Sequence, residues 1–564
     1  MRSLFKSLLV AIFLPLISNG FAATPDAGSI MQQLEQERLM APKQLKMPVK
    51  PVVQPEQEEP DALKVLIKDF EFRGNVNIPS DELREAFASY LNRKHSFKAL
   101  TKMVRMMGEY YRGKGLWAKA IIPEQTFENG ILIIQVIEGK LGVINIEHAE
   151  KTLNISEESA KKYLTHNQKQ DAIFNIKAFE KAIKALDSVP GITAAAVLRP
   201  GVEVGYTDAV IKMANTPLTT GSARVDNFAG RSTSWEGLRF TGNLNIDGAL
   251  KLGEQFNLQV VKSKGTDVYT FGASYPIGYD GSRIGVNYTD MSYHLGEPLQ
   301  AIKGEGNSQT ASAYFNKPLW QDGADSLSAQ LQMFKKDYFN KTIAGISSDK
   351  SIKSVAGTLA FGWSEQLIGV ATNNASVTYT VGDLDLSGNA TDLANDAATA
   401  KANGAFQKVG LTYTRSQSLN ESNEIWMSFL SQYAFKNLDS AEKISLGGSS
   451  GVRAFPGGEA TGDHGAILKF ELRHQLEEGL TGVVFYDHGW IQQHETTWTS
   501  SSIPNQYDLN GLGLGARWMA NKTTELTANL ATRLVSNPAA DSAGNDGDGT
   551  RYAPRLWISV VSQF

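Results

Sequence analysis

The sequence predicts an all-β transmembrane barrel preceded by two small α+β modules, on three observations. From about Pro217 to Phe564, segments of about ten residues alternate apolar with polar or small side chains between Gly/Asn/Asp-rich turns. Between residues 63 and 214 the order β-α-α-β-β occurs twice in tandem. The chain opens with an export signal, and no later run of about 18 uncharged apolar residues supplies a membrane helix.

Composition narrows the function classes. At 564 residues the chain exceeds one compact domain. With 20% charged and 42% hydrophobic residues, it is neither disordered nor a helical membrane protein. A net charge of -4 lacks the basic excess of a nucleic-acid binder, so no nucleic-acid partner is expected. The absence of cysteine removes disulfides and thiolate metal sites.

The elements follow in order. Residues 1–22 read as a signal peptide: Arg2 and Lys6 form the basic start, Leu8 to Ile17 the apolar core, and cleavage is expected after Ala22. Residues 23–40 hold a short helix, Ser29 to Met40, with Ser29 and Gln32 spaced as a capping box. Ile30 and Leu34 share one face, while Glu35 and Arg38 lie among the polar ones. Prolines at 42, 48, 51, 55 and 60 make residues 41–62 an extended linker.

The first module, 63–140, begins with a strand from Val65 to Phe72. Ser80 caps a helix burying Leu83 and Phe87, and a second helix, Phe97 to Arg112, buries Leu100, Met103, Val104, Met107 and Tyr111. Trp117 to Ile122 and Ile131 to Ile137 close it as a hairpin around Asn129-Gly130. The second module, 141–214, repeats this with a strand at Val143–Ile146 and a helix at Ser156–Leu164. A second helix, capped by Asn175, precedes a hairpin of Ile192–Leu198 and Ala209–Met213.

Residues 215–564 carry the barrel pattern. In Gly465 to Gln475, Ala466, Leu468, Phe470 and Leu472 point one way, and Lys469, Glu471 and Arg473 the other. A soluble sandwich would leave those charges buried and unpaired, whereas a polar lumen accommodates them. Roughly 350 residues allow about 22 per strand with its connection, which suits tilted strands of about 9 to 11 residues. The stretches Gly382–Gly404 and Ser536–Gly549 read as irregular extracellular loops.

Within that region, Gly451-Val452-Arg453-Ala454-Phe455 lies between two alternating segments, and Phe485-Tyr486-Asp487-His488-Gly489 follows about thirty residues later. An arginine in a glycine-rich loop and an aspartate on a nearby strand form a candidate ion pair. These residues, with Val136-Ile137-Glu138-Gly139, Pro190-Gly191, Asp226-Asn227, Leu446-Gly447-Gly448, Gly462-Asp463-His464-Gly465 and Glu471, resemble the two-partner secretion transporters of the Omp85 superfamily. The resemblance covers nearly the whole mature chain.

It implies a barrel of sixteen antiparallel strands, two periplasmic POTRA modules and a helix that plugs the pore, with Ile30, Leu34, Glu35 and Arg38 as its residues. It implies that Val452, Arg453, Ala454 and Phe455 occupy the sixth extracellular loop, about 436–465, folded into the lumen. Phe485, Asp487 and Gly489 then form a lumen-facing strand motif, with Arg453 paired to Asp487. Ala454 departs from the family's glycine. The implied function is export of one large partner protein, a haemolysin, adhesin or contact-dependent inhibition toxin. Its N-terminal secretion domain would be captured by the POTRA modules, without ATP.

The remaining expectations are a monomer in outer-membrane lipid, inserted by the barrel-assembly machinery, with no cofactor and no enzymatic activity. The rival within the superfamily is an outer-membrane assembly factor, which usually carries more POTRA modules and lacks the helix and linker. Two local patterns are set aside. Gly447-Gly448-Ser449-Ser450-Gly451 matches a hydrolase nucleophile turn, but no helix follows it. Gly511-Leu512-Gly513-Leu514-Gly515 lies inside an alternating strand, where close packing explains it better than a nucleotide. The eight histidines show no metal-ligand spacing.

Overall fold

The computed structural model describes residues 24–40, 64–126, 128–166, 168–203, 205–233, 237–297, 299–366, 369–498 and 503–564. The signal peptide read at 1–22 and the linker read at 41–62 lie outside them. Helix α1 spans Ala27–Met40 and starts two residues earlier than the sequence reading. Its cap is made by Asp26 and Ser29 rather than by Ser29 and Gln32. The Ser29 N–H donates to Asp26 Oδ1 at 2.7 Å, and the Asp26 N–H to Ser29 Oγ at 3.0 Å.

The first module contains β1 Lys64–Ile67, β2 Asp69–Arg73, α2 Ser80–Ala86, β3 Arg93–Ser96, α3 Phe97–Gly113, β4 Ala118–Ile121 and β5 Ile131–Glu138. The stretch read as one strand from Val65 is two. β1 pairs antiparallel with β3, and β2 pairs parallel with β5, which also pairs antiparallel with β4. The break falls at Lys68, whose N–H donates to the Gly130 carbonyl at 2.7 Å. β3, with sequence Arg-Lys-His-Ser, has no apolar alternation and escaped the sequence reading. Ser80 is the first residue of α2 and not its cap: Pro79 precedes it and no side chain caps that end. The buried stripe of α3 is the predicted Leu100, Met103, Val104, Met107 and Tyr111.

The second module holds β6 Lys140–Glu147, α4 Glu157–Thr165, α5 Ile176–Asp187, β7 Ile192–Pro200 and β8 Tyr206–Asn215, in sheet order β6-β8-β7. Asn175 caps α5 through the Ala178 N–H at 3.0 Å. Backbone hydrogen bonds join the modules: Trp117 N–H to the Phe174 carbonyl at 3.1 Å, and Ile176 N–H to the Gly115 carbonyl at 3.0 Å. The second module meets the barrel through Tyr163, edge-on to Tyr279 with centroids 5.2 Å apart.

Sixteen antiparallel strands, from β9 Thr219–Asp226 to β26 Arg555–Gln563, close into a barrel. β26 pairs with β9 from Ser559↔Asp226 to Gln563↔Ser222, so no edge is left in the membrane. Two short strands, β20 Ile444–Ser445 and β21 Thr461–Gly462, pair separately inside one loop. Strand length departs from the expected 9 to 11 residues, since β16, Gly345–Glu365, has 21. At about 3.3 Å per residue such a strand exceeds a tilted crossing of a ~30 Å hydrocarbon layer, so this part of the wall extends beyond the bilayer. The stretch read as an irregular loop from Gly382 contains the end of β17, Ala371–Asp385, and a helix α6, Ala390–Ala398. Asn389 caps α6 with one oxygen on two N–H groups, a role its loop-like composition concealed.

Candidate functional site in the barrel lumen

The segment between β19, Asn423–Ala434, and β22, His464–Glu477, turns back into the barrel. Its tip is a tight glycine turn: the Val452 N–H donates to the Leu446 carbonyl at 2.7 Å, and Gly448 has φ +112°. Val452, Arg453, Ala454 and Phe455 are all buried. On the facing strand β23, Leu480–Gln492, alternation turns Phe485, Asp487 and Gly489 inward and leaves Val484 and Tyr486 exposed on the outer face. Gly489 has no room for a side chain, because a Cβ there would lie 2.9 Å from Val452.

The structure brings Arg453 and Asp487 together. Arg453 Nε donates to Asp487 Oδ2 at 2.8 Å and Nη2 to Oδ1 at 2.7 Å, the planar fork matching the carboxylate. The Arg453 backbone N–H adds a third bond to Asp487 at 3.0 Å. Nη1 donates to Glu471 Oε1 at 2.8 Å, and the guanidinium sits 3.5 Å from the Phe485 ring centroid. Trp557 Nε1 donates to the Arg453 carbonyl at 2.7 Å. Glu471 is shared with Arg473 and Arg517, at 2.7 and 3.3 Å.

Ala454 stands where a glycine was expected, and its φ is not positive, so alanine fits without strain. Its methyl fills a space left by Gly511 on β24, Gln506–Met519: a Cβ at Gly511 would lie 2.8 Å from Ala454 Cβ. A Cβ at Gly513 would collide with the Phe485 ring. The glycine run in β24 is therefore part of the seat of the loop tip. We expect Gly511→Ala to weaken loop docking by about 1–3 kcal/mol through overpacking, and Ala454→Gly to restore it in the double variant. Protease protection of the loop in the four corresponding proteins checks this; no recovery in the double variant would disprove the contact.

Helix α1 lies in the same lumen. Ile30 and Leu34 are half-buried and pack on a cluster that includes Tyr293, Leu438 and Ala441. Glu35 and Arg38 are exposed. The polar anchors are others. Glu37 pairs with Arg239 at 2.9 Å, and Asp26 with Lys350 at 3.4 Å. The Gln36 amide donates to the Ser445 carbonyl at 2.6 Å and accepts from its N–H at 3.2 Å. Gln33, Gln36 and Glu37 share one stripe at helical spacing, and that polar stripe was the overlooked signal. The base of the loop is held by Glu442, with Lys336 at 2.8 Å and Lys408 at 2.7 Å, and by Asp463 with Lys443 at 2.6 Å. Ser449 is a turn residue whose carbonyl accepts from Lys469 at 3.3 Å. Among the described residues no group of His, Asp and Glu forms a metal site.

A closed barrel whose lumen holds a helix and a folded-in loop, with two α+β modules at one end, defines an outer-membrane transporter. The family model described as haemolysin secretion/activation protein ShlB/FhaC/HecB matches residues 205–518, and that of the POTRA domain, ShlB-type, matches 65–139. Similar proteins include the heme/hemopexin transporter protein HuxB of Haemophilus influenzae (strain 86-028NP), 24% identical over 96% of this chain and 95% of the relative. The outer membrane transporter CdiB of Dickeya dadantii (strain 3937) is 22% identical over 81% and 82%. Among solved structures, CdiB from Escherichia coli superposes with a TM-score of 0.73 at 18% identity, over 96% of this chain and all of that one. The chain belongs to the ShlB/FhaC/HecB family, the outer-membrane transporters of two-partner secretion within the Omp85 superfamily, whose POTRA modules are periplasmic.

Proposed function

We propose that this chain is the translocation pore for one large exoprotein of the TpsA type, a haemolysin, adhesin or contact-dependent inhibition toxin. The POTRA modules capture the N-terminal secretion domain of the partner, with exposed sheet edges offering backbone pairing to an extended chain. Folding of the partner outside the cell draws it through, without ATP. Arg453 latches loop 6 across the conduit on Asp487, and α1 plugs the resting pore. One observation carries this reading: two elements that belong to no wall strand, α1 and loop 6, fill the lumen of a closed barrel.

The test is a comparison of culture supernatants with and without this chain. One very large exported protein should disappear from the medium on deletion and return on complementation. A supernatant unchanged by deletion would sink the proposal. Levels of other outer-membrane proteins should stay constant; a general fall would instead favour an assembly factor.

A further inference from the structure

Glu459 closes the loop-6 tip and is 1% exposed. Its Oε1 accepts from Asn537 Nδ2 at 3.0 Å, and its Oε2 from the Gly547 N–H at 2.8 Å. Both donors belong to the loop, residues 534–554, that connects β25, Thr524–Arg533, to β26. Glu459 is therefore the clasp between two extracellular loops.

The charges around it are unequal. Asp546 bonds Arg533, and Arg555 Nη2 reaches Asp546 at 3.3 Å while its Nη1 reaches Asp548 at 3.0 Å. Asn537 Nδ2 also serves Asp546, at 2.9 Å. Three carboxyl groups thus face two guanidiniums, and neither arginine forms an ion pair with Glu459. Tyr507 on β24 is a further titratable neighbour. Lys443 lines the same cavity but bonds Asp463, and α1 presents the neutral Gln33 at Gly458. A buried carboxylate with two like-charged neighbours and no cation of its own is unfavourable, whereas one added proton balances the pocket. Glu459, Tyr507 and Asp548 line a cavity of about 1300 Å³ shared with α1.

We propose that Glu459 is a positioning residue that docks loop 6 on the 534–554 loop when neutral and loosens it when ionised. Burial, opposed by the hydrogen bonds from Asn537 and Gly547 and reinforced by Asp546 and Asp548, pushes the Glu459 carboxyl up to about 7. Docking raises the proton affinity of this acid, so its contribution is complete below the ordinary glutamate value of 4.5, is lost progressively as pH rises from there to about 7, and changes no further above that. The inference rests on reading loop 6 as the gate, but loop docking is measurable whether or not secretion follows.

The chain contains no cysteine, so Ser449→Cys gives a single spin-label site at the half-buried tip. In the full-length labelled protein in lipid nanodiscs, the mobile fraction of the nitroxide spectrum should rise between about pH 5 and pH 7 and level off above that. Its docking constant should fall by at most about tenfold per pH unit. Adding Glu459→Gln, whose amide nitrogen cannot accept from one of the two N–H donors, should lower docking by a fixed amount and leave the spectrum flat across that range. A Glu459→Gln spectrum with the pH curve of the parent, or a parent spectrum flat in pH, overturns the proposal. Asn537→Ala guards against a Gln variant that does not assemble: with one N–H donor to Glu459 lost, the docked fraction should fall at every pH. An unchanged fraction would also overturn the proposal.

Discussion

Arg453→Ala is expected to lower secretion of the partner at least tenfold while the barrel still reaches the outer membrane. The guanidinium is enclosed by Asp487, Glu471 and the Phe485 ring, with each nitrogen bonded to a carboxylate oxygen. Truncation leaves Asp487, which is fully buried, with the backbone N–H of residue 453 as its hydrogen-bond donor and Lys469, its register partner on β22, as a nearby cation that does not bond it. Breaking a buried pair from one side costs roughly 3–5 kcal/mol, enough to undock a loop tip held by local contacts. Glu471 keeps Arg473 and Arg517, so the wall strands retain their own pairing. Arg453→Lys should recover only part of the loss, because an ammonium cannot span Asp487 and Glu471 while docking bidentately. Arg517→Ala, which removes one 3.3 Å contact from a half-buried side chain, should be much milder. Immunoblots of the medium, beside the heat-dependent gel shift of the folded barrel, separate secretion from assembly. Undiminished secretion by Arg453→Ala would remove the latch from the mechanism.

The barrel was legible because its alternation is a two-residue signal, repeated wherever one face meets lipid and the other water. Lys469, Glu471 and Arg473 interleaved with Leu468, Phe470 and Leu472 identify the lumen face of β22 without any structure. The capped helices of the modules were legible for a similar reason: Asn175 and the stripe of α3 are local devices. What escaped was non-local. β3 exists because β1 pairs with it, and its polar sequence alone gives no strand period. The long wall strands depend on their neighbours rather than on the bilayer thickness.

The lumen shows the same division. Arg453 and Asp487 stand out because each sits in a short motif. The partners of α1 are spread across distant strands and loops: Arg239, Lys350, Asn340 and Ser445. No spacing rule links Glu37 to Arg239, about two hundred residues apart. Choosing Glu35 and Arg38 followed charge alone, whereas the barrel selected the neighbouring stripe, set by the close approach of Gly28 to Ala441. Glu459 carries no motif at all, and its significance lies in a pocket made by another loop.

Deleting Ala27–Met40 is expected to turn a mostly closed pore into a stably conducting one, without destabilising the barrel. Each cation that α1 pairs with has a second acidic partner that remains. Arg239 keeps Asp226, with Nε–Oδ1 at 3.0 Å, and Lys350 keeps Asp439 at 2.8 Å. Loss of the helix therefore strands no buried charge, in contrast to loss of Arg453, and the usual 3–5 kcal/mol penalty for breaking a buried pair does not apply. The remaining ties are the Gln36 amide on Ser445, the Asn340 side chain accepting the Ala27 N–H at 2.9 Å, and the apolar contact of Ile30 and Leu34. A single substitution tests the same point more gently. A Cβ at Gly28 would lie 2.8 Å from Ala441 Cβ, so Gly28→Leu must push α1 off its seat while every wall residue stays native. Planar-bilayer recordings should show long openings for the deletion and frequent, shorter ones for Gly28→Leu, with thermal unfolding close to that of the parent. A deletion protein that stays silent would mean that loop 6 alone closes the conduit. One that conducts but unfolds far more readily would mean that α1 is part of the fold rather than a removable plug.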